Sequence, residues 1–550
     1  MVFSGVRRYS GAYSKMGKDR MNKIQTHLLM LAAAIALPAS AAAQSVVKLD
    51  AGSVRGVDGG AVDRFLGIPY AQAPVGALRW RDPQPVKQWD AVRDASKAAS
   101  SCYQAAPAAF GPYTPEFLSG ADVSEDCLFL NVWRPHAARG KLPVYVFIHG
   151  GAFNSGSGNV PVYDGAGLAG HGVVVVTINY RLGVFGFLAH PDLTRESAHA
   201  SSGNYGLLDQ VAALRWVRAN IAAFGGDPAA VVIGGQSAGA VSVNDRVASP
   251  LAQGLVRGAV AQSGSGSGIP ASPLAGAEAL GVKIAQQAGA TSLAQLRTLP
   301  AAALQQAAGK ASAPGGGGRF APVKLPLAPN VDGHALMADT SDAAAPVASP
   351  VPLLTGFNSD EYGLFGAPAN KAEFEQMVRE RYGAAAGRFL ALYPHATDAE
   401  AVASTAQIGR DRAFASLVLW SQERTRTAGQ TIYPYFFDHP YPNPSATPDG
   451  KTHGAFHTSE VPYVMGVLDA EGRTFTARDR AVSAALQDHW LAFIKTGNPG
   501  LPGRPWASVG AVPVVMGLGD TVGPRQAVST PERFKAFSDF AAAGGKLSLF

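Results

Sequence analysis

Val231-Val232-Ile233-Gly234-Gly235-Gln236-Ser237-Ala238-Gly239 is a run of β-branched residues feeding a G-x-S-x-G pattern. The apolar run reads as a buried strand. The small residues after it permit a sharp turn from strand into helix with the serine at a strained apex, where bulky neighbours would clash. Such a serine projects its hydroxyl beyond the sheet at a helix N-terminus. In a chain with 63 glycines the pattern alone arises easily by chance, so its surroundings decide.

Outward from that stretch, further strand-like runs occur at Val144 to Ile148, Val173 to Ile178, Val351 to Thr355 and Tyr433 to Phe437. Between them lie helical patterns such as Leu207 to Asn220, with Leu208, Val211, Leu214 and Val217 at near-helical spacing. Strands alternating with helices predict an α/β fold, a mostly parallel sheet covered on both faces. No repeat of fixed period interrupts the pattern, and the low-complexity stretch Ala311 to Gly318 reads as a surface loop. Residues 44–550 are therefore read as one large domain with long insertions.

The N-terminus reads differently. Asn22-Lys23, an apolar stretch from Leu28 to Leu37, then Pro38 and the small residues Ala39 to Ala43 form the three-part layout of a secretory signal peptide, with cleavage placed after Ala43. The apolar stretch is shorter than the ~20 residues that span a bilayer, so no stable membrane anchor is expected. What precedes Met21 is either an extended n-region or the product of an upstream start codon. The expected location is outside the cytoplasm, periplasmic or secreted. Of the 46 Lys and Arg and 40 Asp and Glu, six bases and one acid lie in residues 1–43, leaving 40 and 39. The basic balance thus belongs to the leader and does not point to nucleic acid.

The two cysteines, Cys102 and Cys127, form an even pair in an exported chain and suggest a disulfide. No Cys/His cluster has metal-ligand spacing, and neither a metal nor another cofactor is expected.

Several segments together resemble the type B carboxylesterase family, which also contains the cholinesterases and the bacterial para-nitrobenzyl esterases. Phe224-Gly225-Gly226-Asp227-Pro228 followed by the strand and Gly235-Gln236-Ser237-Ala238-Gly239 is similar to the family's nucleophile signature, and Glu125-Asp126-Cys127-Leu128-Phe129-Leu130-Asn131-Val132 to its second signature. Further matches are Gly67-Ile68-Pro69-Tyr70-Ala71, Asn179-Tyr180-Arg181-Leu182-Gly183, Gly203 to Gln210 and Thr496-Gly497-Asn498-Pro499. The resemblance implies an α/β-hydrolase fold whose long insertions form an active-site gorge. It also implies pairing of Cys102 with Cys127.

A serine hydroxyl needs a base to remove its proton and an acid to orient that base. In the fold implied, acid and then histidine follow the serine. Ala455-Phe456-His457-Thr458-Ser459-Glu460 resembles the family's catalytic histidine loop, with His453 as the rival. The strand Val351 to Gly356 leads into Asn358-Ser359-Asp360-Glu361, where the family pattern puts the acid at Glu361 and leaves Asp360 as runner-up.

The oxyanion of an acyl-transfer intermediate needs preorganised donors. His149-Gly150-Gly151-Ala152-Phe153 resembles the family's glycine-rich oxyanion loop, which implies the backbone N–H groups of Gly151, Ala152 and Ala238 as donors. Ala152 stands where many relatives have glycine. By the same resemblance Ser263 helps to hold the acid, an assignment that competes with a plain turn role. Gln236 replaces the glutamate common before the nucleophile, which removes a negative charge and weakens any case for a cationic alcohol.

The implied activity is hydrolysis of small-molecule carboxylic esters through an acyl-enzyme on Ser237. Two alternatives are a hydrolase of carbamates or amides on the same fold, and a noncatalytic interaction protein. The second requires a vacant triad, whereas Ser237, Glu361 and His457 fill it.

Overall fold

The computed structural model describes residues 45–136, 140–266, 268–312, 320, 324–361, 367–443, 447–470, 472–525 and 529–549. The expected signal peptide lies outside the described residues, as does most of the glycine-rich segment. Gln44–Phe550 forms one unit by its internal contacts.

The frame is a ten-stranded sheet. In chain order its strands are β1 (Val62–Pro69), β2 (Phe129–Pro135), β3 (Leu142–Ile148), β4 (Val174–Ile178), β5 (Gly226–Gln236), β6 (Gly258–Gln262), β7 (Leu353–Asn358), β8 (Ile432–Phe437), β9 (Val515–Leu518) and β10 (Gly523–Arg525). Across the sheet they run β10-β9-β8-β7-β6-β5-β3-β4-β2-β1. From β9 to β4 every neighbouring pair is parallel; β10 at one edge and the β2–β1 pair at the other are antiparallel.

Side chains alternate across a strand, so one strand feeds two cores. Val144, Val146 and Ile148 of β3 join a cluster with Leu214 and Val217 of helix α1 (Tyr205–Asn220) and Val243 and Val247 of helix α2 (Ala238–Ala248). Tyr145 and Phe147 point the other way, into a cluster with Leu486, Trp490 and Phe493 of helix α3 (Ala477–Thr496). Both faces of the sheet are thus covered, which is why its parallel strands read as unbroken apolar runs rather than alternating ones. This is the α/β-hydrolase arrangement expected from the sequence. Among the described residues no helix is long and apolar enough to cross a membrane.

Candidate active site

Strand β5 ends at Gln236 and helix α2 begins at Ala238, leaving Ser237 alone at the turn with φ 57° and ψ −122°. A left-handed φ is costly for any residue with a Cβ and persists only where its surroundings impose it. They do so here: a side chain on Gly239 would run into the carbonyl of Ile148, and one on Gly235 into that of Gly239. The Ser237 N–H is held by Gln262 O at 2.8 Å. Non-glycine residues with positive φ gather around this point, at Ala152, Phe153, Ser237, Ser263 and Thr458.

The next two strand ends bring Ser263 and the buried carboxyl of Glu361 together. Ser263 follows β6, and Glu361 lies just beyond β7. Glu361 is buried, and its Oε1 accepts from Ser263 Oγ and from the Asn358 N–H, each at 2.6 Å. Its Oε2 lies 3.1 Å from His457 Nδ1. Asp360 turns elsewhere, accepting from Ser359 Oγ, Ala455 N–H and Arg410 Nη2. His453 pairs with Asp449 at 2.9 Å and, among the described residues, makes no hydrogen bond with Glu361. The structure therefore brings His457 and Glu361 together and leaves His453 and Asp360 apart.

His457 is 4% exposed. Its carbonyl accepts from Tyr113 Oη at 2.8 Å, which ties the histidine loop to the segment between the two cysteines. With the Nδ1 proton directed at Glu361, Nε2 carries the lone pair, and the Gln236 side-chain amide donates to it at 2.9 Å.

Beside this contact sits a second buried acid that sequence reasoning passed over, although it lies within the quoted histidine loop. Glu460 Oε2 accepts from Asn358 Nδ2 at 2.5 Å and its Oε1 from Gln262 Nε2 at 3.1 Å. Burial pushes its carboxyl up to about 7; the Asn358 hydrogen bond works against that rise and the charge of Glu361 adds to it.

The glycine-rich loop leaves β3 at His149. The His149 ring stacks on Tyr180 at 4.4 Å, and Tyr180 Oη donates to His149 O at 3.0 Å. Burial lowers the His149 imidazole to about 4, so it stays neutral and acts as packing. Gly151 O accepts from the N–H groups of Asn154 and Ser155, both at 3.0 Å, and Phe153 O from Gly183 N–H at 2.7 Å. These bonds turn the loop so that the N–H groups of Gly151 and Ala152 have no backbone acceptor among the described residues. Ala152 takes the glycine-like conformation, φ 52°, so the methyl is accommodated at the cost of some backbone strain.

Ser237 borders two cavities. One, of about 390 Å³, is also walled by Gln236, His457, Gly151, Tyr113, Phe117 and Tyr163. The other, of about 50 Å³, lies along α2. The larger cavity's outer wall comes from the segment closed by the Cys102–Cys127 disulfide, whose two Cα atoms are 4.9 Å apart. The sequence held no sign of an aromatic wall. Behind Phe117 the Arg473 guanidinium lies 5.9 Å from that ring and 4.5 Å from the Tyr441 ring, paired to Glu116 at 2.5 Å. A cation is therefore already built into this aromatic cluster.

Among the described residues, Asp58, Asp63 and His136 bring donor atoms within 4.8 Å of one another, as metal ligands could. Asp63 is also paired to Arg134 at 3.0 Å, which offsets its charge.

The model of the carboxylesterase family matches residues 43–514. The chain belongs to the carboxylesterase family. The fumonisin B1 esterase of Sphingopyxis macrogoltabida is 35% identical to this carboxylesterase over 461 residues, covering 82% of this chain and 81% of that one. The para-nitrobenzyl esterase of Bacillus subtilis (strain 168) is 36% identical over 481 residues, covering 84% and 92%. A solved PNB esterase structure superposes with a TM-score of 0.75 at 32% identity, covering 90% of this chain and 99% of that one. The protein is a serine hydrolase of carboxylic esters.

Proposed function

We propose that this carboxylesterase works through Ser237 as nucleophile, His457 as general base and acid, and Glu361 as the group that orients the imidazole. The observation that carries the reading is the 3.1 Å contact of His457 with Glu361, made by a histidine that borders the same cavity as the strained Ser237. The imidazole Nε2 takes the Ser237 proton as Oγ attacks the ester carbonyl, with the Gln236 amide yielding its place at Nε2. Charge on the carbonyl oxygen is met by the N–H groups of Gly151, Ala152 and Ala238; one such donor is worth about 3 kcal/mol of barrier. The imidazolium then protonates the leaving alcohol, and a water activated by the same nitrogen releases the acid.

The alcohol occupies the cavity that His457 borders, because the proton must reach the leaving oxygen. Among the described residues no Asp, Glu, Lys or Arg side chain lines that cavity. Its substrates are therefore esters whose alcohol part is neutral and bulky enough to use its volume. Residues 44–550 act as one catalytic unit, delivered outside the cytoplasm by the leader ending at Ala43.

Labelling with phenylmethylsulfonyl fluoride followed by peptide mass spectrometry tests the assignment. The adduct is expected on Ser237, and Ser237→Ala is expected to abolish both labelling and turnover of 4-nitrophenyl acetate. An adduct on another serine would end it.

A further inference from the structure

The smaller cavity beside Ser237 is mostly apolar and includes a group of polar side chains in its wall. Ala152, Phe153, Val241 and Ile269 are among its apolar walls, and Asn244, Asp245, Asp339, Thr340 and Ser341 supply polar groups. Ser237, Val241 and Asp245 follow one another along α2 at helical spacing, so the cavity runs down that helix. His457 borders the larger cavity and not this one. Since the leaving alcohol must sit within reach of the imidazole, the smaller cavity receives the acyl chain.

A cavity for plain alkyl chains would be apolar throughout. This one has Asp245 in its wall, 1% exposed, whose Oδ1 accepts from Thr340 Oγ1 at 2.6 Å and whose Oδ2 has no hydrogen-bond partner among the described residues. Asp339 lies beside it, with Oδ1 accepting from Ser341 N–H at 3.0 Å and Oδ2 from Ser341 Oγ at 2.9 Å. Burial pushes the Asp245 carboxyl up to about 6; the Thr340 hydrogen bond, Arg246 and Arg424 pull it down, and Asp339 adds to the rise. An acceptor buried without a donor is costly. A hydrocarbon chain entering the cavity would leave that cost in place, and a chain ending in a donor would remove it.

We propose that the acyl side of this esterase takes acyl chains that end in a hydrogen-bond donor, a hydroxyl or an ammonium, read by Asp245 with Asp339 beside it. The inference rests on Ser237 being the nucleophile. The length of such a chain follows from the helix. Eight residues of α2 rise about 12 Å, and helical side chains lean back toward the N-terminus. With the reach of Ser237 Oγ subtracted, roughly 8 Å remain between the acyl carbon and the donor, or about six bonds at roughly 1.3 Å of advance each. The room of about 50 Å³ matches a slender, unbranched chain.

The test compares the 4-nitrophenyl esters of 6-hydroxyhexanoic, 6-aminohexanoic and heptanoic acids, which share a leaving group and differ at the chain end. At least one donor-bearing ester is expected to exceed the heptanoate at least tenfold in kcat/KM. Equal gains for the two donors would identify hydrogen bonding alone, and a lead for the ammonium would add charge. A heptanoate as good as or better than both would overturn the proposal. Asp245→Asn is expected to cut the advantage of the amino ester over the heptanoate tenfold, and Asp339→Asn, which leaves α2 untouched, to reduce it as well. If Asp245 were only structural, all three esters would fall together with their ratios unchanged, and the proposal would fail. Ser237→Ala separates the two readings. If that variant still turns over the acetate ester, the nucleophile is misassigned; if it is inert while the wild-type enzyme prefers heptanoate, only the acyl-chain inference is lost.

Discussion

Ser263 Oγ donates to Glu361 Oε1 at 2.6 Å, on the carboxyl oxygen that does not face His457. The carboxyl is thus held from behind while its other oxygen meets the imidazole. A hydrogen bond to a charged group is worth about 1.5–3 kcal/mol, so Ser263→Ala should lower kcat roughly tenfold to a hundredfold with little change in KM. Glu361→Gln should cost more, because it reverses the partner offered to Nδ1–H. Asp360→Asn, which breaks only the contacts to Ser359, Ala455 and Arg410, should keep most of the activity. Steady-state kinetics with 4-nitrophenyl acetate decide the matter, and an Asp360 variant as damaged as the Glu361 one would move the acid.

In the proposed mechanism base and nucleophile act as a unit, so His457→Ala is expected to match Ser237→Ala, a loss of several orders of magnitude in kcat. His453, paired to Asp449, should tolerate alanine with activity within about twofold of wild type by the small-effect standard of surface sites. The opposite ranking would show the wrong histidine has been named.

Glu460 couples stability to pH. Its carboxyl has an ordinary value of 4.5 and stands at about 7 when folded. Below pH 4.5 it is neutral in both states, and between the two values the folded protein keeps a proton that the unfolded chain releases. This contribution to stability therefore fades as pH rises through that window, and the loss is complete above about 7. Glu460→Gln should flatten the dependence. The new amide can be received because Gln262 Oε1 has no partner and that side chain can turn over. Melting temperatures measured from pH 5 to 8 should converge for the two proteins at the acid end and separate at the alkaline end. Parallel curves would refute this.

Selectivity for the alcohol follows from the neutral wall. Acetylcholine and its carbon isostere 3,3-dimethylbutyl acetate should have similar kcat/KM, since Gln236 is uncharged and Arg473 already serves the aromatic cluster. Gln236→Glu should raise the ratio toward the cation about fivefold, for about 1 kcal/mol of added attraction. A wild-type ratio already tenfold in favour of acetylcholine would reveal a cation site on another wall.

Much of this was legible in the sequence, for a physical reason. Parallel strands buried on both faces must be apolar along their whole length, so Val144 to Ile148 and Tyr433 to Phe437 announce themselves. Acyl transfer restricts the residue types at the turn, and Ser237, Glu361 and His457 stand in recognisable company. Short edge strands such as Gly523–Arg525 carry too few residues for a periodic signal. The cavity walls were less accessible still. Tyr113, Phe117 and Asp245 have ordinary neighbours in the chain, and their roles come from segments that meet only in space: Tyr113 with His457, and Asp245 with Thr340. Glu460 lay in plain view, but nothing in its spacing reveals that Asn358 and Gln262 enclose it.

The long-range wiring of the site bears on how activity returns after unfolding. Glu361 and Ser263 are 98 residues apart, Glu361 and His457 are 96, and Gln236 and His457 are 221. Closing loops of that size precedes any gain from the contacts they allow. No fragment holding only β5 and α2 can orient an imidazole. Turnover in a refolding mixture should therefore lag behind the recovery of helical signal and report the closing of the sheet as far as β8, which makes the rate of ester cleavage a clock for long-range assembly.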